Sequence, residues 1–241
     1  MRHTTIEGTI LYTSKKPEML DQKRGFERFL FTHHGDGAVT LRAHCEIEEP
    51  APSVLRDIVY ALDASGAPKD CLLRLTVGDA FMGAGLFRFL PDGIECESYG
   101  PSIGRVSQRV PLSQTIDGFG THPIVADGYF LGVRGLKIGE RRTFQMYLPS
   151  PDHRGATPPI VAPVKIDGEY VKDETVTTPA GTFACRHMRF IDPGDSGMSG
   201  AHPIYDLWIT ADKHAIFVKG GVGGYMQTWY ELQTLTITPG S

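Results

Sequence analysis

Apolar residues along this chain recur at every second position or in short blocks bounded by Gly, Pro and Asp, which is the period of a β-strand rather than of a helix. Residues 38–48 show it plainly: Leu41, Ala43, Cys45 and Ile47 share one face, and Arg42, His44 and Glu46 the other. The pattern predicts strands over 25–34, 38–48, 54–63, 70–77, 81–90, 94–99, 105–112, 141–148, 169–178, 182–191, 204–210, 215–219 and 225–237. Gly35-Asp36-Gly37, lying between two alternating runs, predicts a hairpin. Ser65-Gly66, Pro91-Asp92-Gly93 and Gly100-Pro101 supply further turns. The alternation breaks over 115–139, where Thr121 or His122 ahead of Pro123 predicts one short helix near residues 122–132. The Pro-rich stretch 149–163 is expected on the surface.

Strands that follow one another in an antiparallel meander must hide their edges, and closure of the sheet is the usual solution. The predicted fold class is therefore all-β, as an antiparallel barrel or two connected curved half-barrels. A single domain over 1–241 is expected, in which an amino-terminal meander (1–115) and a carboxy-terminal one (140–241) are joined by 116–139. Gly120-Thr121-His122-Pro123-Ile124 is echoed by Gly200-Ala201-His202-Pro203-Ile204, an echo too short to prove duplication.

Composition narrows the function. The chain has 241 residues, 24 Lys+Arg against 28 Asp+Glu for a net charge of −4, and 41% hydrophobic residues. Without a basic field, nucleic acid and anionic membrane are not expected as partners. No apolar run is long enough for a signal-peptide core or a spanning helix, so a cytoplasmic location is expected. Cys45, Cys71, Cys96 and Cys185 form no C-x-x-C pair and read as free core thiols. The G-x-S-x-G match at Gly100–Gly104 lies between two strand-like runs and reads as a turn, not as a nucleophile elbow. Glycines 220–224 precede β-prone aromatics instead of a helix, which disfavours a nucleotide cofactor. Neither H-E-x-x-H nor H-x-H is present, so no metal is expected unless distant strands assemble one, for instance from His44, His122, His187 or His202; no cofactor is expected either.

Candidate chemistry lies in polar residues interleaved with apolar ones. Arg42 and Arg74 alternate with aliphatic neighbours and suit a bidentate clamp on a carboxylate or phenolate if their faces point inward. Solvated outer faces of antiparallel strands fit the same alternation. His122 sits in the non-strand segment and, with His44, is a candidate acid or base. Tyr129 and Tyr225 are candidate hydroxyl donors, Asp127 a candidate assistant, Trp208 and Trp229 ring platforms, and Lys219 a substrate-binding cation.

Val176-Thr177-Thr178-Pro179-Ala180-Gly181-Thr182-Phe183-Ala184-Cys185-Arg186 resembles a signature of lipocalin-like bacterial β-barrel families of unassigned function. Asp206-Leu207-Trp208-Ile209 and Trp229-Tyr230-Glu231-Leu232 suit the paired strands that follow in those families. The resemblance covers about the last quarter of the chain and implies a lipocalin-like barrel around a cavity. The expected function is binding of a small hydrophobic, oxygenated molecule, aromatic or carboxylate-bearing. Cofactor-independent acid/base chemistry of a lyase or isomerase type on that molecule is favoured over plain carriage, because many ionisable residues lie on the strands. A homodimer is left open.

Overall fold

The computed structural model describes residues 3–240 apart from Glu49, Gln114, His153, Ser199 and Tyr225. Alternation shapes the first half into eight strands: β1 (Thr4–Ser14), β2 (Lys23–His33), β3 (Val39–Ile47), β4 (Val54–Leu62), β5 (Pro68–Val77), β6 (Ala80–Leu90), β7 (Gly93–Gly100) and β8 (Gly104–Pro111). After the two-residue β9 (Gly118–Phe119) and the helix α1 (Ile124–Gly132) come β10 (Arg141–Leu148), β11 (Ala162–Thr178), β12 (Gly181–Ile191), β13 (Tyr205–Thr210), β14 (Phe217–Val222) and β15 (Thr228–Thr238). The helix falls inside the segment predicted for it.

Among the described residues all fifteen strands join one open sheet, in the order β8-β7-β6-β5-β4-β3-β2-β1-β15-β14-β13-β12-β11-β10-β9. Every pairing is antiparallel except β9 with β10. The two meanders meet where β1 pairs with β15, with Tyr12 opposite Tyr230. The sheet curls until Phe119, on the β9 edge, packs its ring 4.9 Å from Phe87 and 5.1 Å from Phe89 of β6. Its ends thus meet through side chains and not through a hydrogen-bonded seam. The helix seals the concave side against β13 and β14, where a Cβ on Gly128 would lie 3.0 Å from that of Phe217.

Two sequence expectations change. The periodicity over 4–14 belongs to β1, the strand that joins the two meanders, which the predicted strands omit: Ile6, Ile10 and Tyr12 are buried on one face. The Pro-rich loop is shorter than expected and turns inward. Strand β11 begins at Ala162, Ser150 and Val161 are buried, and Pro159 lies where side chains on Gly83 and Gly85 of β6 would stand. The Gly100–Gly104 match is the β7–β8 turn, as its composition implies.

Candidate ligand cavity

The concave face encloses a cavity of about 290 Å³ with an apolar wall that includes Ile47, Val54, Met146, Leu148, Val164 and Phe190. Polar groups enter that wall at two places, and each is set by strand register.

The first is cationic. Along β4, Val54, Arg56, Ile58, Tyr60 and Leu62 share the inward face, so Arg56 is carried into the core by the same alternation that buries its neighbours. It is 1% exposed. Its guanidinium donates to the Arg154 carbonyl and makes a long contact of 3.9 Å with Cys45 Sγ; among the described residues no carboxylate pairs with it. His122 and His202 line the same end. His122 adopts φ +74°, a left-handed conformation uncommon outside glycine, and its buried Nε2 has no hydrogen-bond partner among the described residues. Burial, then the charge of Arg56, then His202 hold its pKa well below that of an ordinary histidine, so the ring is neutral at pH 7. The 120–124 and 200–204 echo thus places both of its histidines at one cavity wall.

The loop over 149–161 covers this end. Arg154 donates to the carbonyls of Pro50 at 2.9 Å and Pro52 at 3.3 Å, which straps the loop to the β3–β4 turn. Farther along, Arg24 donates to the Met226 carbonyl and to Thr228 Oγ1, anchoring the approach to β15.

The second polar place is acidic and phenolic. Glu27, fully buried on β2, accepts the Tyr12 hydroxyl at 2.7 Å and the first backbone N–H groups of α1, from Ile124 at 2.7 Å and Val125 at 3.1 Å. A carboxylate at a helix N-terminus is favourable, yet burial dominates and pushes Glu27 up to about 7. One helical turn on, Asp127 lines the cavity, with its pKa raised well above the ordinary range by burial and by Glu27. Tyr12, Tyr205 and Tyr230 complete this wall, with ring centroids 4.9 Å apart for Tyr12–Tyr230 and 5.9 Å for Tyr205–Tyr230.

Of the residues nominated from sequence, the structure brings His122 to the cavity, together with Asp127. His44 lies on the outer face, 2.7 Å from Asp57. Arg42 is exposed there beside Thr32, and the guanidinium of Arg74 lies 4.4 Å over Phe81. Trp208 stacks on His187 at 4.5 Å and donates to Glu174 at 2.5 Å, whereas Trp229 lies between Lys15 at 4.0 Å and Lys219 at 5.2 Å, again on the outer face. Tyr129 packs in the core 5.3 Å from Phe31, away from the cavity. Tyr225 lies outside the described residues. For these strands the solvated outer face is where the alternation puts the polar residues, because the apolar set must point inward.

Among the described residues no group of three His, Cys, Asp or Glu side chains is placed to hold a metal ion, and the four cysteines are buried and unpaired. Among the described residues no helix is long and apolar enough to cross a membrane.

Over 99% of both chains, the structure superposes on a β-barrel-like protein of the domain of unknown function DUF1849 from Brucella abortus, with a TM-score of 0.57 and 12% identity. The likeness is one of fold. A DUF1089 family protein from Pseudomonas aeruginosa matches 80% of this chain and 86% of its own, at 11% identity and a TM-score of 0.46. No protein-family model and no curated protein matches the sequence. The barrel-like neighbour agrees with the broader part of the resemblance read from the sequence, a β-barrel family without an assigned function.

Proposed function

We propose that the protein binds a small apolar molecule with an anionic head, a carboxylate or its equivalent, in the cavity of the curled sheet. The observation that carries this reading is Arg56: a guanidinium 1% exposed, facing a largely apolar cavity, with no carboxylate partner among the described residues. A buried charge left uncompensated costs several kcal/mol, and an anionic ligand supplies the missing partner as a charge-assisted, bidentate pair. The apolar wall then takes the body of the molecule, as is usual for sites where a few polar groups fix orientation.

A second reading, catalysis, is favoured by one observation. His122 is a neutral imidazole whose buried Nε2 has no partner, beside the arginine that would hold the head. With Gly155 moved aside, Nε2 can take a proton from the carbon next to a double bond of an unsaturated ligand and return it at the far carbon as the double bond shifts, a single-base isomerisation that needs no cofactor.

Incubation of the purified protein with a mixed panel of fatty, terpenoid and aromatic acids, unsaturated ones included, followed by chromatographic separation of isomers and mass spectrometry of bound and free fractions, tests both. Retention of an acid, lost in Arg56→Met, supports binding; recovery of an isomer, lost in His122→Ala, supports catalysis. If no acid is retained or converted, the proposal fails.

A further inference from the structure

The acidic and phenolic wall is not needed to hold an anionic head, and its chemistry calls for a different group. Strand register sets where it lies. Arg56 of β4 stands opposite Cys45 of β3, and Cys45 opposite Glu27 of β2. Glu27 is bonded to Tyr12 of β1, and Tyr12 stands opposite Tyr230 of β15. Beyond Tyr230 comes Gly220 of β14, over which the Tyr205 ring lies, with its nearest atom 3.0 Å from where a Cβ would be. Arg56 and Tyr205 therefore end a row that crosses the curled sheet from β4 to β13. Neighbouring strands are about 4.8 Å apart, so Arg56 and Tyr12 alone are separated by roughly 14 Å along the sheet.

Two groups at the far end of that row have unspent hydrogen-bonding capacity. Tyr205 is 4% exposed and lines the cavity, and its hydroxyl has no partner among the described residues. Asp127 also lines the cavity, and its carboxyl hydrogen-bonds to no described residue. A buried phenol without a partner costs about 1 to 3 kcal/mol, and native structures seldom leave one so. Tyr12 is not in this position, because its hydroxyl is committed to Glu27.

Building on the proposed anion-binding role of Arg56, we propose that Tyr205 and Asp127 form a second pole that receives a hydroxyl group at the opposite end of the ligand. The ligand class is then a hydroxylated apolar acid. Burial and the neighbouring Glu27 both raise the Asp127 pKa and so favour its protonated form, and a protonated carboxyl and a phenol can each donate and accept. A hydroxyl also donates and accepts, so it satisfies both without bringing a second charge into the core. An ammonium group would have to ionise Asp127 within reach of Glu27.

The test is isothermal titration with paired series of unsubstituted, ω-hydroxy and ω-amino straight-chain acids from octanoate to tetradecanoate, on the wild type and on Tyr205→Phe. At the best-fitting length the hydroxy acid should bind about tenfold tighter than its unsubstituted partner. Tyr205→Phe should lower that ratio to about threefold, because the Asp127 bond remains; far-UV circular dichroism and the denaturant unfolding transition report that the variant is folded. Equal affinities of hydroxy and unsubstituted acids for the wild type would overturn the second pole and leave the anion site standing. Tighter binding of the amino acid series would overturn it in favour of an ionised Asp127. No binding of any series would overturn the cavity reading itself.

Discussion

Gly155 lies so close to Arg56 that a Cβ there would sit 2.7 Å from the guanidinium Nη2, and 2.4 Å from Nε2 of His122. The loop over 149–161 can reach the cationic end of the cavity only because residue 155 has no side chain and tolerates φ +60°. Gly155→Ala is expected to lift the loop, lowering stability by about 2 kcal/mol through backbone strain and overlap, and to weaken acid binding. Denaturant unfolding and titration of the same variant check both; unchanged values would mean that the loop does not close this end.

Glu27 gives the protein a pH dependence of definite sign. Its folded pKa of about 7 lies above the ordinary 4.5, so the native state holds this proton more tightly than the unfolded chain does. The resulting stabilisation is complete below about pH 4.5 and is lost as the pH rises to about 7, amounting to about 3 kcal/mol for a shift of this size. Asp127, raised for the same reason, adds in the same direction. Glu27→Gln removes the Glu27 part. The unfolding free energy of the wild type, measured relative to the variant, should fall by about 3 kcal/mol between those pH values, and a constant difference would contradict the buried acid.

Residues on the outer face should be silent for binding. Arg42→Ala and Arg74→Ala, at exposed positions, and Lys219→Ala, at a half-exposed one, are each expected to change stability by no more than about 0.5 kcal/mol, because charges open to solvent contribute little. Acid affinity should stay at the wild-type value in all three. A loss of affinity in any of them, read by titration, would place the site on the convex side.

These outer residues show how far the sequence could be read. Alternation separated Leu41, Ala43, Cys45 and Ile47 from Arg42, His44 and Glu46, and the structure keeps that division. A period of two assigns residues to faces but does not say which face encloses a cavity, and arginines out of phase with the apolar set drew attention although their phase puts them outside. The informative residues are the in-phase ones. Arg56 shares the face of Val54, Ile58, Tyr60 and Leu62, and Glu27 that of Phe29 and Phe31, and a charge in the apolar phase of a strand must be buried. Asp127, between apolar residues of the only described α-helix, carried the same signal. The pairing of β1 with β15 has no local signature, since the strands are joined through the whole length of the chain.

The central claim concerns Arg56, and Arg56→Met tests it most directly because two opposite effects are expected. Replacing a buried, unpaired guanidinium by an apolar side chain of similar length should raise the stability of the ligand-free protein by about 1 to 3 kcal/mol. The same change should abolish the thermal stabilisation that a saturating straight-chain acid gives the wild type. A variant that is less stable than the wild type without ligand, yet is stabilised by the acid to the same extent, would contradict the account.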